Sequence, residues 1–151
     1  MVLRVSLVSR GGEEISNPPG RDLLVRADHA FAALATAIDR AFARWDLSHL
    51  HEFRLPDGRR IGAADADELG EPGERLDERK CTLGNAEMPV GGTFEYVFDF
   101  GDGWEHSCTL LRDNADPLEE YSGSPNEIVP IFGWGTIPDQ YARIDPADAD
   151  A

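Results

Sequence analysis

Basic side chains are scarce in this sequence, and lysine is almost missing. Its 151 residues contain 14 Lys or Arg against 29 Asp or Glu, Lys80 is the only lysine, and the formal net charge is −15. Affinity for duplex nucleic acid and for anionic membranes comes mainly from basic side chains, so neither is expected as a partner. We interpret the acidity as a solvated surface that keeps the protein soluble. The alternative is an acidic face that docks on a basic protein.

Long apolar runs and closely spaced cysteines are also missing. No stretch approaches the ~18 consecutive apolar residues of a membrane span. The start, MVLRVSLVSRGGEE, is interrupted by Arg4 and Arg10, so it lacks the continuous apolar segment of a secretion signal. Cys81 and Cys108 stand far apart and outside any CxxC pattern, which favours reduced thiols. We therefore expect a cytoplasmic protein without a disulfide.

The common motifs of nucleotide-binding and nucleophilic enzymes are absent. The Gly-rich triplets at 101–103 and 133–135 match neither the phosphate-binding loop nor the dinucleotide fingerprint, and no G-x-S-x-G elbow occurs. Ser107 follows His106, but neighbouring strand residues point to opposite faces, so His106 cannot readily activate it. These enzyme classes are therefore not expected.

The chain length fits a single domain. We predict this domain over residues 1–144, followed by a disordered acidic tail at 145–151. Residues 2–9 alternate between apolar and polar side chains, which predicts a strand, and a second strand at 23–26 is expected to pair with it.

A helix is predicted over about residues 29–44, with Asp28 as its N-cap. Apolar residues at steps of three and four form one stripe that faces the core, namely Phe31, Leu34, Ile38, Ala41, Phe42 and Trp45. Asp39, Arg40 and Arg44 are expected to face water. The helix is the most clearly patterned element of the sequence.

Two hairpins follow the helix. The first spans residues 51–61 and turns at Asp57–Gly58, and the second joins 94–100 to 104–112. The charged stretch 63–80 is predicted to be a long surface loop with at most one helical turn. The predicted fold is therefore α+β, with an antiparallel sheet built from hairpins and packed against one main amphipathic helix.

The second hairpin presents a continuous aromatic face. Alternate strand residues project to one side, and here that side must be core because it carries Phe94, Tyr96, Phe98 and Phe100. The return strand adds Trp104, His106, Cys108 and Leu110 to the same face. The first strand projects Glu95, Val97 and Asp99 from the opposite face.

Two registers are compatible with this hairpin. If residues 101–103 form a three-residue loop, Phe100 pairs with Trp104 and Asp99 lies opposite Glu105. We prefer this register because the other one brings Glu105 beside the apolar face.

In the other register, residues 102 and 103 form a two-residue turn and Asp99 meets His106. Both registers gather Asp99, Asp102, Glu105 and His106 at the tip of the hairpin. The tip is therefore the first place to look for a site.

Two blocks of sequence carry a family resemblance. The run FEYVFDFGDGWEH at 94–106 resembles the signature of the plasmid pRiA4b ORF-3-like family, which is also met as an insertion-element passenger protein. The stretch IDRAFARW at 38–45, followed by HLHEF at 49–53, is similar to that family's second block, a helix that leads into a strand. The matches span roughly residues 2–112. The resemblance implies an α+β fold, genes associated with plasmids and mobile elements, and no established activity.

The sequence departs from the family pattern at residues 123–141. Many relatives carry a cysteine-containing segment of the CPPED type here, whereas this chain has GSPNEIVPIFGWGTIPDQY. A function that depends on that cysteine segment is therefore not expected. We expect the replacement to close the core or to cover a sheet edge. Alternatively, Trp134 lines a pocket.

Histidine and cysteine spacing raises one metal hypothesis. His49 and His51 are two residues apart, as are His106 and Cys108, so each pair projects from one face of a strand. Three histidines and one cysteine would complete a tetrahedral zinc site. Such pairs are common by chance, and packing of His106 and Cys108 among aromatic residues explains them equally well.

Carboxylates at the hairpin tip raise a second metal hypothesis. Asp99, Asp102 and Glu105, with His106 as a base, would suit phosphoester hydrolysis through a divalent cation. No nuclease motif accompanies them, and phosphate-binding basic residues are scarce nearby. We keep a metal-dependent hydrolase of the phosphoesterase or nuclease type as the alternative function.

The favoured function is a small binding or interaction module without a required cofactor. Its candidate site is the hairpin tip facing the His49 and His51 region, and the candidate residues are Asp99, Asp102, Trp104, Glu105, His106, His49 and Trp134. The expected partner is a protein or a small molecule. The two hypotheses share one location and differ in whether a cation is bound there.

Overall fold

A computed structural model describes residues 1–47, 49–63, 75–114, 126–138 and 140. In these ranges one large sheet carries a helix across one face. The strands are β1 (Val2–Arg10), β2 (Glu13–Glu14), β3 (Gly20–Leu24), β4 (His51–Arg54), β5 (Arg60–Gly62), β6 (Arg75–Asp77), β7 (Thr93–Phe98), β8 (Trp104–Arg112) and β9 (Val129–Trp134). The helix is α1 (Phe31–Ala41), and a 3₁₀ turn covers Leu83–Ala86.

The sheet is mixed rather than fully antiparallel. Its strand order is β6-β5-β4-β7-β8-β1-β3-β9, with β2 beside β1, and β5 pairs with β6 in parallel. The predicted α+β class is confirmed in broad terms, but the sheet dominates and is more than a set of hairpins. Strand β6 was missed because its sequence, Arg-Leu-Asp, offers a single apolar residue. The rest of the loop predicted at 63–80 lies largely outside the described residues.

Helix α1 is shorter than predicted at both ends. It begins after Ala30, not after Asp28, and no side chain caps it. The backbone N–H groups of Phe31 and Ala32 instead donate to the carbonyls of Cys81 and Glu78. Because neighbouring backbone satisfies these first donors, a capping side chain is not needed.

The far end of α1 corrects two predictions. Phe31, Leu34, Ile38 and Phe42 are buried as expected, but Asp39 and Arg44, which were expected to face water, are only 6% and 7% exposed, and Trp45 is 49% exposed. Ala43 has a positive φ of 54°, which ends the helix and turns the chain. Residues after this turn no longer follow the helical period.

The β7–β8 hairpin has neither predicted register. Phe98 pairs with Trp104 and Tyr96 with His106, a shift of two residues from the preferred pairing. Because side chains alternate with a period of two, this shift keeps Phe94, Tyr96 and Phe98 on the core face. Phe100, which was predicted on the same face, lies beyond the end of β7 and is only half-buried. Both predicted registers were wrong, since Asp99 starts the loop and pairs with no residue of β8.

The smaller hairpin and the late segment agree better with expectation. The turn between β4 and β5 contains Asp57 and Gly58, as predicted. Asp57 Oδ1 accepts a hydrogen bond from the Arg59 N–H there. Strand β9 pairs with β3 and so covers a sheet edge. Trp134 packs over Gly20, where a Cβ would lie 2.1 Å from the indole.

Other expectations concern domain limits and membranes. The tail predicted at 145–151 lies outside the described residues, and the domain limits of 1–144 stay a prediction. In the described ranges, no helix has the length and apolarity needed to cross a membrane. Cys81 and Cys108 are not paired with each other in the structure.

Candidate functional site

Two loops meet at one end of the sheet. The α1 loop is formed by residues 42–47, 49 and 50, and the hairpin loop by residues 99–103. The Asp99 N–H donates to the Leu50 carbonyl at 2.8 Å. His49 lies between two carboxylates, 3.4 Å from Asp46 and 3.5 Å from Asp99. The predicted proximity of the hairpin tip to His49 is therefore observed.

Asp99 organises the hairpin loop through its backbone and its side chain. Its φ is 61°, and its carbonyl accepts a hydrogen bond from the Gly103 N–H at 2.6 Å. Its Oδ1 accepts from the N–H groups of Gly101 and Asp102 at 3.1 and 3.3 Å. An aspartate readily occupies this left-handed conformation because its short side chain bonds locally. Asp99 therefore has a structural task in the loop.

Arg44 is buried, although the helical pattern predicts that it faces water. Its guanidinium lies inside the protein and donates to the Phe42 carbonyl and to His106, each at 2.9 Å. The rings of Phe42, Phe98 and Trp104 surround it at 5.0 to 5.6 Å. Burial lowers the pKa of Arg44 to about 10, so the group stays charged at neutral pH. Only the end of the helix at Ala41 brings Arg44 inward, and no sequence period reveals this.

His106 is held as a neutral imidazole. Its Nδ1 lies 3.0 Å from the Tyr96 carbonyl and must donate to it, so Nε2 accepts from Arg44. Burial, followed by the charge of Arg44, lowers the pKa of His106 to about 3. Both ring nitrogens are engaged, which leaves no lone pair for a metal ion and no proton to exchange near pH 7.

A second group of titratable side chains lies beside this pair. Tyr96 donates its hydroxyl to Asp39 at 2.9 Å, and burial raises the pKa of Asp39 to about 6 against the weaker effect of this hydrogen bond. His51 lies 2.6 Å from Glu78. Burial lowers the pKa of His51, but the hydrogen bond to Glu78 and its charge outweigh burial, and the pKa rises. Neither Asp39 nor Glu78 is a predicted site residue, because acidic side chains are usually exposed to solvent.

The carboxylates of the predicted cation site have separate partners. Glu105 projects from the sheet face opposite His106 and accepts a hydrogen bond from Ser9 at 2.8 Å. Asp102 lies 3.4 Å from Arg10, and Asp99 caps the loop. In the part of the chain that is described, no group of three or more His, Cys, Asp or Glu side chains could hold a metal ion.

The residues of the predicted zinc site are also dispersed. His49 faces Asp46 and Asp99, whereas His51 faces Glu78. Burial raises the pKa of the Cys108 thiol, which disfavours the thiolate that zinc needs. Trp134, the remaining candidate, lies on β9, three strands away from β8.

Several exposed side chains in this region are apolar. Among the described residues five large apolar side chains are exposed, and three of them lie in the α1 loop: Trp45 at 49%, Leu47 at 57% and Leu50 at 41%. Gln140, which is 1% exposed, fastens this loop. Its Oε1 accepts from the N–H groups of Trp45 and Asp46, and its Nε2 donates to the Asp46 carbonyl. The helical pattern places Trp45 in the buried stripe, and neither Leu47 nor Leu50 is a predicted site residue.

Known proteins resemble this chain in sequence and in fold. Residues 2–126 match the model of the family described as plasmid pRiA4b ORF-3-like protein. An uncharacterized protein, y4hQ of Sinorhizobium fredii (strain NBRC 101917 / NGR234), is 42% identical over 69 residues, which cover 45% of this chain and 34% of that protein. The chain thus spans about a third of this curated relative.

A solved structure shares the fold. The crystal structure of a protein of unknown function, MM3350 from Methanosarcina mazei Go1, superimposes with a TM-score of 0.60 at 28% identity. The match covers 74% of this chain and 59% of that one.

Proposed function

Because the chain belongs to the plasmid pRiA4b ORF-3-like family, whose name states no activity, we propose a function from its surface: a module that binds another polypeptide. The docking surface consists of Trp45, Leu47 and Leu50 of the α1 loop. One observation carries the proposal, namely that three large apolar side chains are exposed within six residues. Clustered exposed apolar residues commonly mark interaction sites, whereas scattered ones do not.

The loop that carries this surface is held in place. Gln140 binds its backbone, the buried Arg44 anchors its start, and Asp99 hydrogen-bonds Leu50 at its end. A surface fixed before binding loses less conformational entropy when a partner docks. This supports a role for the loop in recognition rather than as a mobile connection between elements.

The charge around the docking surface indicates the chemistry of the partner. Asp46, in the α1 loop beside His49, and Asp102, in the hairpin loop beside Arg10, carry side chains that are 29% and 39% exposed. The whole chain has a net charge of −15. An apolar surface with acidic neighbours complements apolar side chains flanked by Lys or Arg. We therefore propose a basic, apolar polypeptide segment as the partner.

The alternative of a metal-dependent hydrolase has less support. Its carboxylates are engaged separately by backbone N–H groups, Arg10 and Ser9. A cytoplasmic location is part of the proposal and is supported by the two free cysteines. An association with plasmids or mobile elements is suggested by the family name alone.

A random peptide library displayed on phage tests the proposal. The wild-type protein is used for selection, and a Leu47→Asp/Leu50→Asp variant is used for counter-selection. We expect enriched peptides to combine apolar residues with Lys or Arg and to bind the variant at least about tenfold more weakly. Exposed substitutions of this kind change the free energy of unfolding by about 0.5 kcal/mol or less, so the variant should fold.

Phe132→Asp provides the matched control. Phe132 is also a large exposed apolar residue, at 56%, but it lies on β9 away from the α1 loop. The selected peptides should bind this variant as they bind the wild type. Peptides of acidic or purely polar composition, or peptides that bind the double variant with unchanged affinity, would contradict the proposal.

A further inference from the structure

A small apolar pocket lies at the end of the core away from the hairpin loop. It has a volume of about 130 Å³. Its walls come from β1, the start of α1, the 3₁₀ turn with the residues after it, and the ends of β7 and β8 that lie far from residues 99–103. The main lining side chains are Leu3, Phe31, Leu83, Met88, Phe94 and Leu110.

Backbone contacts hold the outer wall of the pocket in place. The Leu83 N–H donates to the His29 carbonyl at 2.9 Å, and the Gly84 N–H donates to the Ala27 carbonyl at 2.8 Å. Thr82 and Asn85 cap the 3₁₀ turn reciprocally. These hydrogen bonds therefore hold the wall in position, although no side chain fills the pocket behind it.

We propose that this pocket binds a small uncharged apolar molecule, of about the size of a benzene ring or a branched four-carbon chain. An enclosed apolar cavity of about 150 Å³ stays dry and binds benzene, because a water molecule needs two or more polar partners. This pocket has a similar volume and opens to the surface on one side. Among the described lining residues, only Glu87 has a polar side chain, and it is exposed. The interior therefore offers a ligand dispersion contacts and no hydrogen-bonding side chain.

Charge narrows the class of ligand further. Among the described residues that line the pocket there is no lysine, arginine or histidine, and Glu87 is exposed. The Met1 ammonium already donates a hydrogen bond to the Val25 carbonyl at 2.8 Å, and the chain has a net charge of −15. Carboxylates and phosphates would enter against this field with no basic side chain to bind them. The pocket therefore favours neutral molecules over fatty acids and phosphate esters.

The lining can adapt to the shape of a ligand. The sequence contains two methionines, Met1 and Met88, and both line the pocket. Methionine side chains are unbranched and polarizable, so they fit closely around apolar groups of varied outline. The rings of Phe31 and Phe94, 5.9 Å apart, add a surface suited to edge contacts with an aromatic ligand.

The methionines also provide the measurement. Protein labelled with ¹³C at the methionine methyl groups gives two signals, and both report on this pocket. Titration with benzene should move the Met88 signal along a saturable curve. The same titration with benzoate should leave it unmoved, because the anion is excluded.

Substitutions locate the site. Ala86→Leu adds a side chain at a residue that lines the pocket, and we expect it to weaken benzene binding at least about tenfold. Ala33→Leu makes the same change on the exposed face of α1 and should bind as the wild type does. If Ala86→Leu does not fold, Leu110→Phe repeats the test from the opposite wall.

Three results would overturn the proposal. They are a Met88 shift that rises linearly without saturation, unchanged binding in the folded pocket-filling variant, and equal binding of benzoate. The pocket is separate from the docking surface, so failure here leaves the proposed partner binding unaffected.

Discussion

The guanidinium of Arg44 donates to Nε2 of His106 at 2.9 Å, and both side chains are buried. A charged donor bonded to a neutral imidazole links the α1 loop to strand β8. The same bond settles the tautomer of His106, because Nδ1 must then donate to the Tyr96 carbonyl. His106, a candidate base or metal ligand in the sequence, is therefore joined to Arg44, a residue expected to face water, in a buried structural pair.

Loss of either partner should destabilise the protein, and loss of both should cost less than the sum. Arg44→Met leaves a buried imidazole nitrogen without a donor, at a cost of about 1 to 3 kcal/mol. His106→Phe leaves a buried guanidinium with one acceptor fewer, at a similar cost. Urea unfolding of both single variants and the double variant should give a coupling of at least about 0.5 kcal/mol. Additive effects would show that the bond contributes nothing.

Asp39 should make stability fall as the pH rises from about 4 to 7. Its pKa is about 6 in the folded protein against 3.8 for an ordinary Asp, so the folded state binds more protons between these values. The free energy of unfolding then decreases with pH in this window, by about 3 kcal/mol at most. Asp39→Asn removes this dependence, and it should gain stability relative to wild type on going from pH 4 to pH 7.

The pH dependence of the Asp39→Asn variant must be compared with that of wild type. The titration of His106 changes the free energy of unfolding in the opposite direction. Its lowered pKa of about 3 makes the folded state bind fewer protons than the unfolded state below pH 6.5. Unfolding curves of both proteins measured at several pH values separate the two effects. A difference in stability that does not change with pH would contradict the role of Asp39.

Trp134 and Gly20 form a close contact that a methyl group would disrupt. A Cβ on Gly20 would lie 2.1 to 2.6 Å from three atoms of the indole, so Gly20→Ala must displace Trp134. Overpacking typically costs about 1 to 3 kcal/mol, and the partial exposure of Trp134 favours the lower end. The variant should also lose the hydrogen bond from the indole to the Pro18 carbonyl and shift the tryptophan fluorescence. Trp134→Ala should relieve the clash, so Gly20→Ala should cost little in that background.

The regular elements could be predicted from the sequence because their periods are local. Strand β1, the aromatic face of β7 and β8, and the buried stripe at Phe31, Leu34 and Ile38 all follow from alternation or helical spacing. The two-residue error in register left Phe94, Tyr96 and Phe98 on the core face, whereas Phe100 lies in the loop. The sequence therefore indicated which side of each element is core.

The contacts at the candidate site could not be predicted, since they depend on where elements end. Arg44 lies inside after the chain turns at Ala43, which has a positive φ, and the Tyr96 hydroxyl reaches Asp39 from another strand. Gln140 contacts the α1 loop from 94 residues further along the chain. None of these relationships leaves a periodic signal in the sequence.

Substitutions of Asp99 distinguish between a structural role in the loop and a role as a metal ligand. Asp99→Ala keeps a Cβ at a φ of 61° and removes the acceptor of the Gly101 and Asp102 N–H groups, so it should cost about 1 to 2 kcal/mol. Asp99→Asn keeps both the left-handed preference and an acceptor oxygen, so it should stay within about 0.5 kcal/mol of wild type. Asp99→Gly should fall between them, because it relieves the backbone but loses the acceptor. Thermal unfolding with and without Mg²⁺ or Mn²⁺ tests this order, since a cation ligand would make Asn as harmful as Ala and the wild-type melting temperature metal-dependent.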